Sequence, residues 1–152
     1  MKMKQSVVLV FGMLYFCVGL RSQDQKVSSR DVPEAVRTAL AKTYPNAKVS
    51  NWDKEIFEGK VVYEAEGVTD GKTNRNVMYS PDGKVVQIEE TVPVTDLPAS
   101  ITGPVGKQYP KAAIQSAEKK VRGETVEYVL RLKGAAVKKV VVDSEGKITS
   151  TK

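Results

Sequence analysis

The side chains in this sequence best able to do chemistry are carboxylates. Glu64 and Glu66 lie two apart in "VVYEAEG", and Asp53 and Glu55 lie two apart in "NWDKE". Paired carboxylates can act as general acid and base, or bind calcium. A spacing of two on a strand puts each pair on one charged face, with no loop of the EF-hand type beside it, so neither a catalytic nor a metal role is expected and no cofactor is implied. The chain has no histidine and one cysteine, Cys17. Cys17 lies in a segment expected to be removed, which leaves no thiolate nucleophile, no imidazole base and no Cys/His zinc site. No G-x-S-x-G elbow or Gly-rich phosphate loop occurs. The sequence therefore reads as a non-enzyme.

The segment that carries Cys17 has Lys2 and Lys4 followed by an apolar run from Val7 to Leu20. That is the pattern of a secretory signal peptide over residues 1–22, too short to cross a bilayer as a helix. The expected product is exported, periplasmic or secreted, without stable membrane insertion. The chain has 24 Lys and Arg against 18 Asp and Glu, a net charge of +6, and losing Lys2, Lys4 and Arg21 leaves +3. Acids and bases are interspersed, which argues against a nucleic-acid footprint.

The elements that would position the carboxylates come from a repeat. Asp31 to Lys48 overlays Asp96 to Ala113 with identities at Asp31/Asp96, Pro33/Pro98, Lys42/Lys107, Tyr44/Tyr109, Pro45/Pro110 and Ala47/Ala112. Val32, Val36, Leu40 and Tyr44 recur as Leu97, Ile101, Val105 and Tyr109, and steps of four make one helical stripe. Asp31 and Asp96 are expected as N-caps, Glu34 as the partner of Asp31 in a capping box, and the Tyr-Pro steps as helix ends. "TGPVG", Thr102 to Gly106, predicts a kinked second helix, or one that starts only near Pro104.

Beyond each helix the sequence alternates in the strand period, with Val61, Tyr63 and Ala65 matched by Val126, Tyr128 and Leu130. "EGK", "SPDGK", "RGE" and "DSEGK" read as hairpin turns. The expected fold is α+β: two tandem repeats, each of one helix followed by an antiparallel sheet of about four strands, at 31–91 and 92–152, after a short linker at 23–30.

In the order "VPEAVRTAL…YPNAKVSNWDKE", "EGKVVYEAE…VMYSPDGKV", then "LPASI…YPKAAIQSAEKK", "RGETVEYVLRL" and "VVVDSEGKI", the chain resembles the PepSY-like family of β-lactamase-inhibitor-like secreted proteins. The resemblance implies helices on one sheet face, the other face open and concave, and a binding or inhibitory module with no catalytic residues.

Alternation assigns the faces. With Trp52, Ile56, Tyr63 and Val77 toward the helix, Trp52 reads as core, and the open face carries Asp53, Glu55, Glu64, Glu66, Asn76 and Met78 in the first copy and Glu127, Arg131 and Lys139 in the second. This is the candidate interaction face, for an envelope or extracellular protein partner. The alternative is a carrier or sensor of a small apolar or peptidic ligand held between helix and sheet.

Overall fold

The computed structural model describes residues 24–152. The expected signal peptide lies outside the described residues. Nine strands, β1 (Gln25–Val27), β2 (Asn51–Phe57), β3 (Lys60–Thr69), β4 (Asn74–Tyr79), β5 (Val85–Val92), β6 (Ala113–Arg122), β7 (Thr125–Lys133), β8 (Lys139–Asp143) and β9 (Ile148–Thr151), form one antiparallel sheet in sequential order. Helix α1 (Glu34–Thr43) precedes β2, and a 3-10 turn (Val94–Asp96) with helix α2 (Ala99–Gln108) precedes β6. The strands make a single sheet, because β5 pairs with β6 from Ile88↔Val121 to Val92↔Ala117. The two helix-plus-strand units, expected to form one cooperative body or two abutting sheets, share one continuous sheet and are not clearly separate repeats. Residues 25–27, read from the sequence as linker, pair with β2 as an edge strand.

Both helices cover the same side of the sheet. Val32, Val36 and Leu40 pack on Trp52, Ala65, Val68, Val77 and Tyr79. Leu97, Ile101 and Val105 pack on Ala117, Leu130, Leu132, Val140 and Val142. The register Ala65↔Val77↔Ile88↔Val121 puts the sheet residues of both clusters on one face, as period-2 alternation requires. Trp52 is core, as expected. Ile56 alternates with it, yet lies outside the helix-packed cluster and is 52% exposed.

The helix starts differ from the expected caps. Pro33 and Pro98 occupy the N-cap positions in extended conformation, and no side chain caps either helix. The proline carbonyls accept the first intrahelical bonds, from Val36 and Arg37 to Pro33 and from Ile101 and Thr102 to Pro98. Asp31 and Asp96 stand two residues before the N-cap positions. The ends are as expected, at Tyr44 and Tyr109.

Helix α2 begins at Ala99 and runs through Pro104. Proline has no N–H to give the Ser100 carbonyl one turn back. That carbonyl faces the β8–β9 turn, where a Cβ added to Gly146 would lie 2.2 Å from the Ser100 oxygen. The β4–β5 turn meets α1 the same way, since a Cβ on Gly83 would lie 2.6 Å from the Ala35 oxygen. Both glycines have positive φ, 83° and 92°, so turn and helix approach to a distance only glycine permits.

Candidate functional site

The side of the sheet away from the helices carries the carboxylates. Register places Asp53 opposite Glu64, Asn51 opposite Glu66, Glu64 opposite Met78, and Met78 opposite Gln87. In the same rows Glu89 lies opposite Lys120, Lys120 opposite Glu127, Glu127 opposite Asp143, and Arg131 opposite Lys139. All nine candidate residues therefore map to the helix-free face.

They are not equally available on it. Met78 is only 5% exposed and, with Val62 at 2% on the neighbouring strand, is apolar floor in the first repeat, while Val129 at 4% is buried three strands away on β7. Met78 is thus corrected from a contact residue to floor. Asn76 is committed to the backbone: its Oδ1 accepts the Gly67 N–H at 3.0 Å, holding the bulge where the β3–β4 register slips between Ala65 and Val68. Arg131 is exposed, while Glu127 and Lys139 are half-buried.

Phe57, Gln87, Glu89 and Arg122 also belong to this face and were missed from sequence. The Gln87 amide donates to Glu89 Oε1 at 2.8 Å and its carbonyl accepts from Arg122 Nη2 at 2.6 Å, which satisfies a side chain only 5% exposed. Lys120 pairs with Glu89. Arg122 also pairs with Glu58 at 2.8 Å, and its guanidinium lies 4.7 Å from the Phe57 ring centroid. Arg122 ends β6 and Phe57 ends β2, four strand spacings apart, or roughly 19 Å in a flat sheet. The sheet must curve toward this face to bring the two side chains together.

The first-repeat end of the face is acidic and strained electrostatically. Burial pushes the Glu64 carboxyl up to about 7, and Glu55, Glu89, Glu66 and Asp53 push the same way. Glu55 is also raised, first by burial, then by a hydrogen bond with Asp24 and by the charges of Asp24, Asp53 and Glu89. Both shifts follow from partial desolvation beside like charges. Asp53 is 6% exposed, and its Oδ1 has no hydrogen-bond partner. Among the described residues, no group of three or more Asp, Glu, His or Cys is arranged to hold a metal ion. No helix among them is long and apolar enough to cross a membrane.

Arg75 lies on the opposite side, behind the Tyr44 ring. It is 9% exposed, stacks 4.8 Å from that ring and pairs with Asp70 and Glu90. Tyr44 thus closes the first core, as the repeat predicts.

These features define a class: a curved antiparallel sheet backed by two helices, with one charged face that no element covers among the described residues. The family described as "Putative beta-lactamase-inhibitor-like, PepSY-like" matches residues 19–86 and 63–150, and the chain belongs to it. No curated protein matches the sequence. Among solved structures, it is similar to a BLIP-like protein from Bacteroides fragilis NCTC 9343, at 19% identity and TM-score 0.61, covering 79% of this chain and 85% of that one. A DUF2874 family protein from Bacteroides ovatus ATCC 8483 superposes with TM-score 0.62 at 16% identity, covering 79% and 86%. A third, titled "putative periplasmic proteins" from Bacteroides eggerthii DSM 20697, gives 0.58 at 15%, covering 80% and 88%. At these identities the likeness establishes the fold.

Proposed function

We propose that this chain is an exported, non-enzymatic binding module that grips a protein partner on the helix-free face, and that the partner is an envelope hydrolase or peptidase held inhibited. One observation carries the reading: among the described residues nothing covers one side of the nine-stranded sheet, and that side curves and presents charged groups beside buried apolar side chains. A curved face of this kind offers rigid complementarity, and its charges steer encounter and select the partner. Family membership supports a binding rather than a catalytic role, and the periplasmic wording attached to a structural neighbour supports export. The helix-plus-four-strand unit is best read as a duplicated one whose copies fused through β5 and β6.

A carrier role has weaker support. A cleft of about 400 Å³ beside the 3-10 turn mixes Lys72, Glu90, Asp96 and Lys119 with Val92, Pro93, Pro98 and Tyr128, which is not the closed apolar pocket a carrier needs.

The test is affinity capture from an envelope extract with the parent chain, with Glu64→Lys, Glu66→Lys and Arg131→Glu, and with a helix-side control, Lys107→Glu. Any captured hydrolase is then assayed for inhibition. We expect the open-face variants to lose an inhibited partner that the control retains. A partner captured equally by all variants would remove the face from the account.

A further inference from the structure

The acidic end of the helix-free face contains an unmet demand. Asp53 is 94% removed from solvent and its Oδ1 has no donor. A buried acceptor without a partner costs desolvation energy that nothing returns. Around it on the same face stand Glu55 on its own strand, Glu64 directly opposite, and Glu66 two residues on. Asp24, just before β1, and Glu89 from β5 add their charge to this end.

The nearby cations do not neutralise it. Lys120 is engaged by Glu89, and Lys26, though opposite Asp53 in register, forms no ion pair with it. Among the described residues none of Asp53, Glu55, Glu64 and Glu66 has a Lys or Arg within ion-pair distance. A bare metal ion does not fit the arrangement, since no three of these carboxylates converge on one point. An extended organic cation fits better, because a guanidinium or ammonium spreads several donors over separated acceptors.

We propose that the acidic end receives one basic side chain of the partner protein, an arginine or lysine presented on a protruding segment, which enters beside Glu55, Glu64 and Glu66 and, as the Asp53 side chain turns outward to meet it, supplies the donor that its buried Oδ1 lacks. The inference rests on the binding-module reading and specifies its partner chemistry. It implies proton linkage: a cation favours ionised carboxylates, so docking expels the proton that Glu64 holds up to about pH 7. Binding tightens from pH 6 to pH 8, a range in which an arginine or lysine keeps its charge.

The probe is a short peptide amide with a single arginine, compared with the same peptide carrying neutral citrulline, titrated into the protein while the Asp and Glu carboxyl carbons are followed by NMR. We expect the arginine peptide to shift Asp53, Glu55 and Glu64 selectively, to lower the Glu64 pKa, and to bind at least fivefold more weakly to Glu64→Gln and at pH 6. The citrulline peptide should leave these resonances in place. Asp53→Asn, checked for an intact amide spectrum, should weaken binding to the same degree.

Three results would overturn the proposal: equal shifts at exposed carboxylates such as Asp82 and Glu145, calcium reproducing the peptide's shifts, or Lys26→Gln moving Asp53 as far as the peptide does, which would make the donor internal. If the peptide fails while open-face variants still lose a captured partner, the partner chemistry is wrong and the binding face stands. If both fail, the binding-module reading falls too.

Discussion

Arg122 lies over Phe57, 4.7 Å from the ring centroid, although β6 and β2 are separated by three intervening strands. The contact, with the Arg122–Glu58 ion pair beside it, ties the β2–β3 hairpin tip to the middle of the sheet. Arg122→Ala should therefore cost about 1–2 kcal/mol through lost stacking and lost cover by the arginine stem. Urea unfolding followed by Trp52 fluorescence measures the loss, and amide exchange should quicken first in Phe57 to Val62. Exchange unchanged in that hairpin would show that the tip is held by its own turn.

Glu64 sets a pH dependence with a definite sign. The unfolded chain releases this proton near 4.5, while the folded protein holds it to about 7. Between those values the folded state binds more protons, so stability falls as pH rises through the window. Glu64→Gln should flatten the fall. Its gain over the parent at pH 7.5, relative to pH 4.5, should be about 1 kcal/mol after discounting for a half-exposed group. Thermal melts at the two pH values decide it, and an equal effect at both would place the cause elsewhere.

The helices and most of the face were legible in the sequence because period alone dictates them. Val36 and Leu40, like Ile101 and Val105, are buried where the four-residue stripe puts them, and Asp53 and Glu64 share a side because strand neighbours alternate. Curvature was not legible, because it shows only in the contact of Arg122 with Phe57 across the sheet. Asn76 and Met78 illustrate the limit: parity places them correctly, but only the bulge at Gly67 and the overlying charged layer decide that one is a brace and the other floor. Gln87 and Glu89 could have been found, since β5 alternates in "VQIEET". The helix starts were not legible either, since Pro33 and Pro98, rather than the aspartates two residues before them, hold the N-cap positions.

The two turn glycines make matched predictions. Gly83→Ala forces a methyl to 2.6 Å from the Ala35 carbonyl at a φ of 83°, and Gly146→Ala forces one to 2.2 Å from the Ser100 carbonyl at 92°. Clash and left-handed strain together should cost about 2–3 kcal/mol at each site. Gly146→Ala should be the worse of the two, since its contact is the shorter and Pro104 Cγ stands 3.5 Å away to block relief. Chemical denaturation of both variants measures the ranking. The opposite order would mean that α2, interrupted by proline, yields more readily than α1.

Tyr79 is fully buried in the first core, and its hydroxyl has no hydrogen-bond partner. Burial pushes its phenol up to about 12, with Tyr44 adding to the shift. The ring and the hydroxyl should therefore separate cleanly in mutants. Tyr79→Phe removes only the unsatisfied group and should be neutral, or stabilise by up to about 1 kcal/mol. Tyr79→Ala opens a cavity and should cost about 3–5 kcal/mol. Above pH 10 an unfolded chain ionises this phenol while the folded one resists, so the parent should lose stability between pH 10 and 12 faster than Tyr79→Phe does. If Tyr79→Phe instead loses more than about 1 kcal/mol at neutral pH, the hydroxyl has a partner in solution, and an ordered water within the first core is the group to look for.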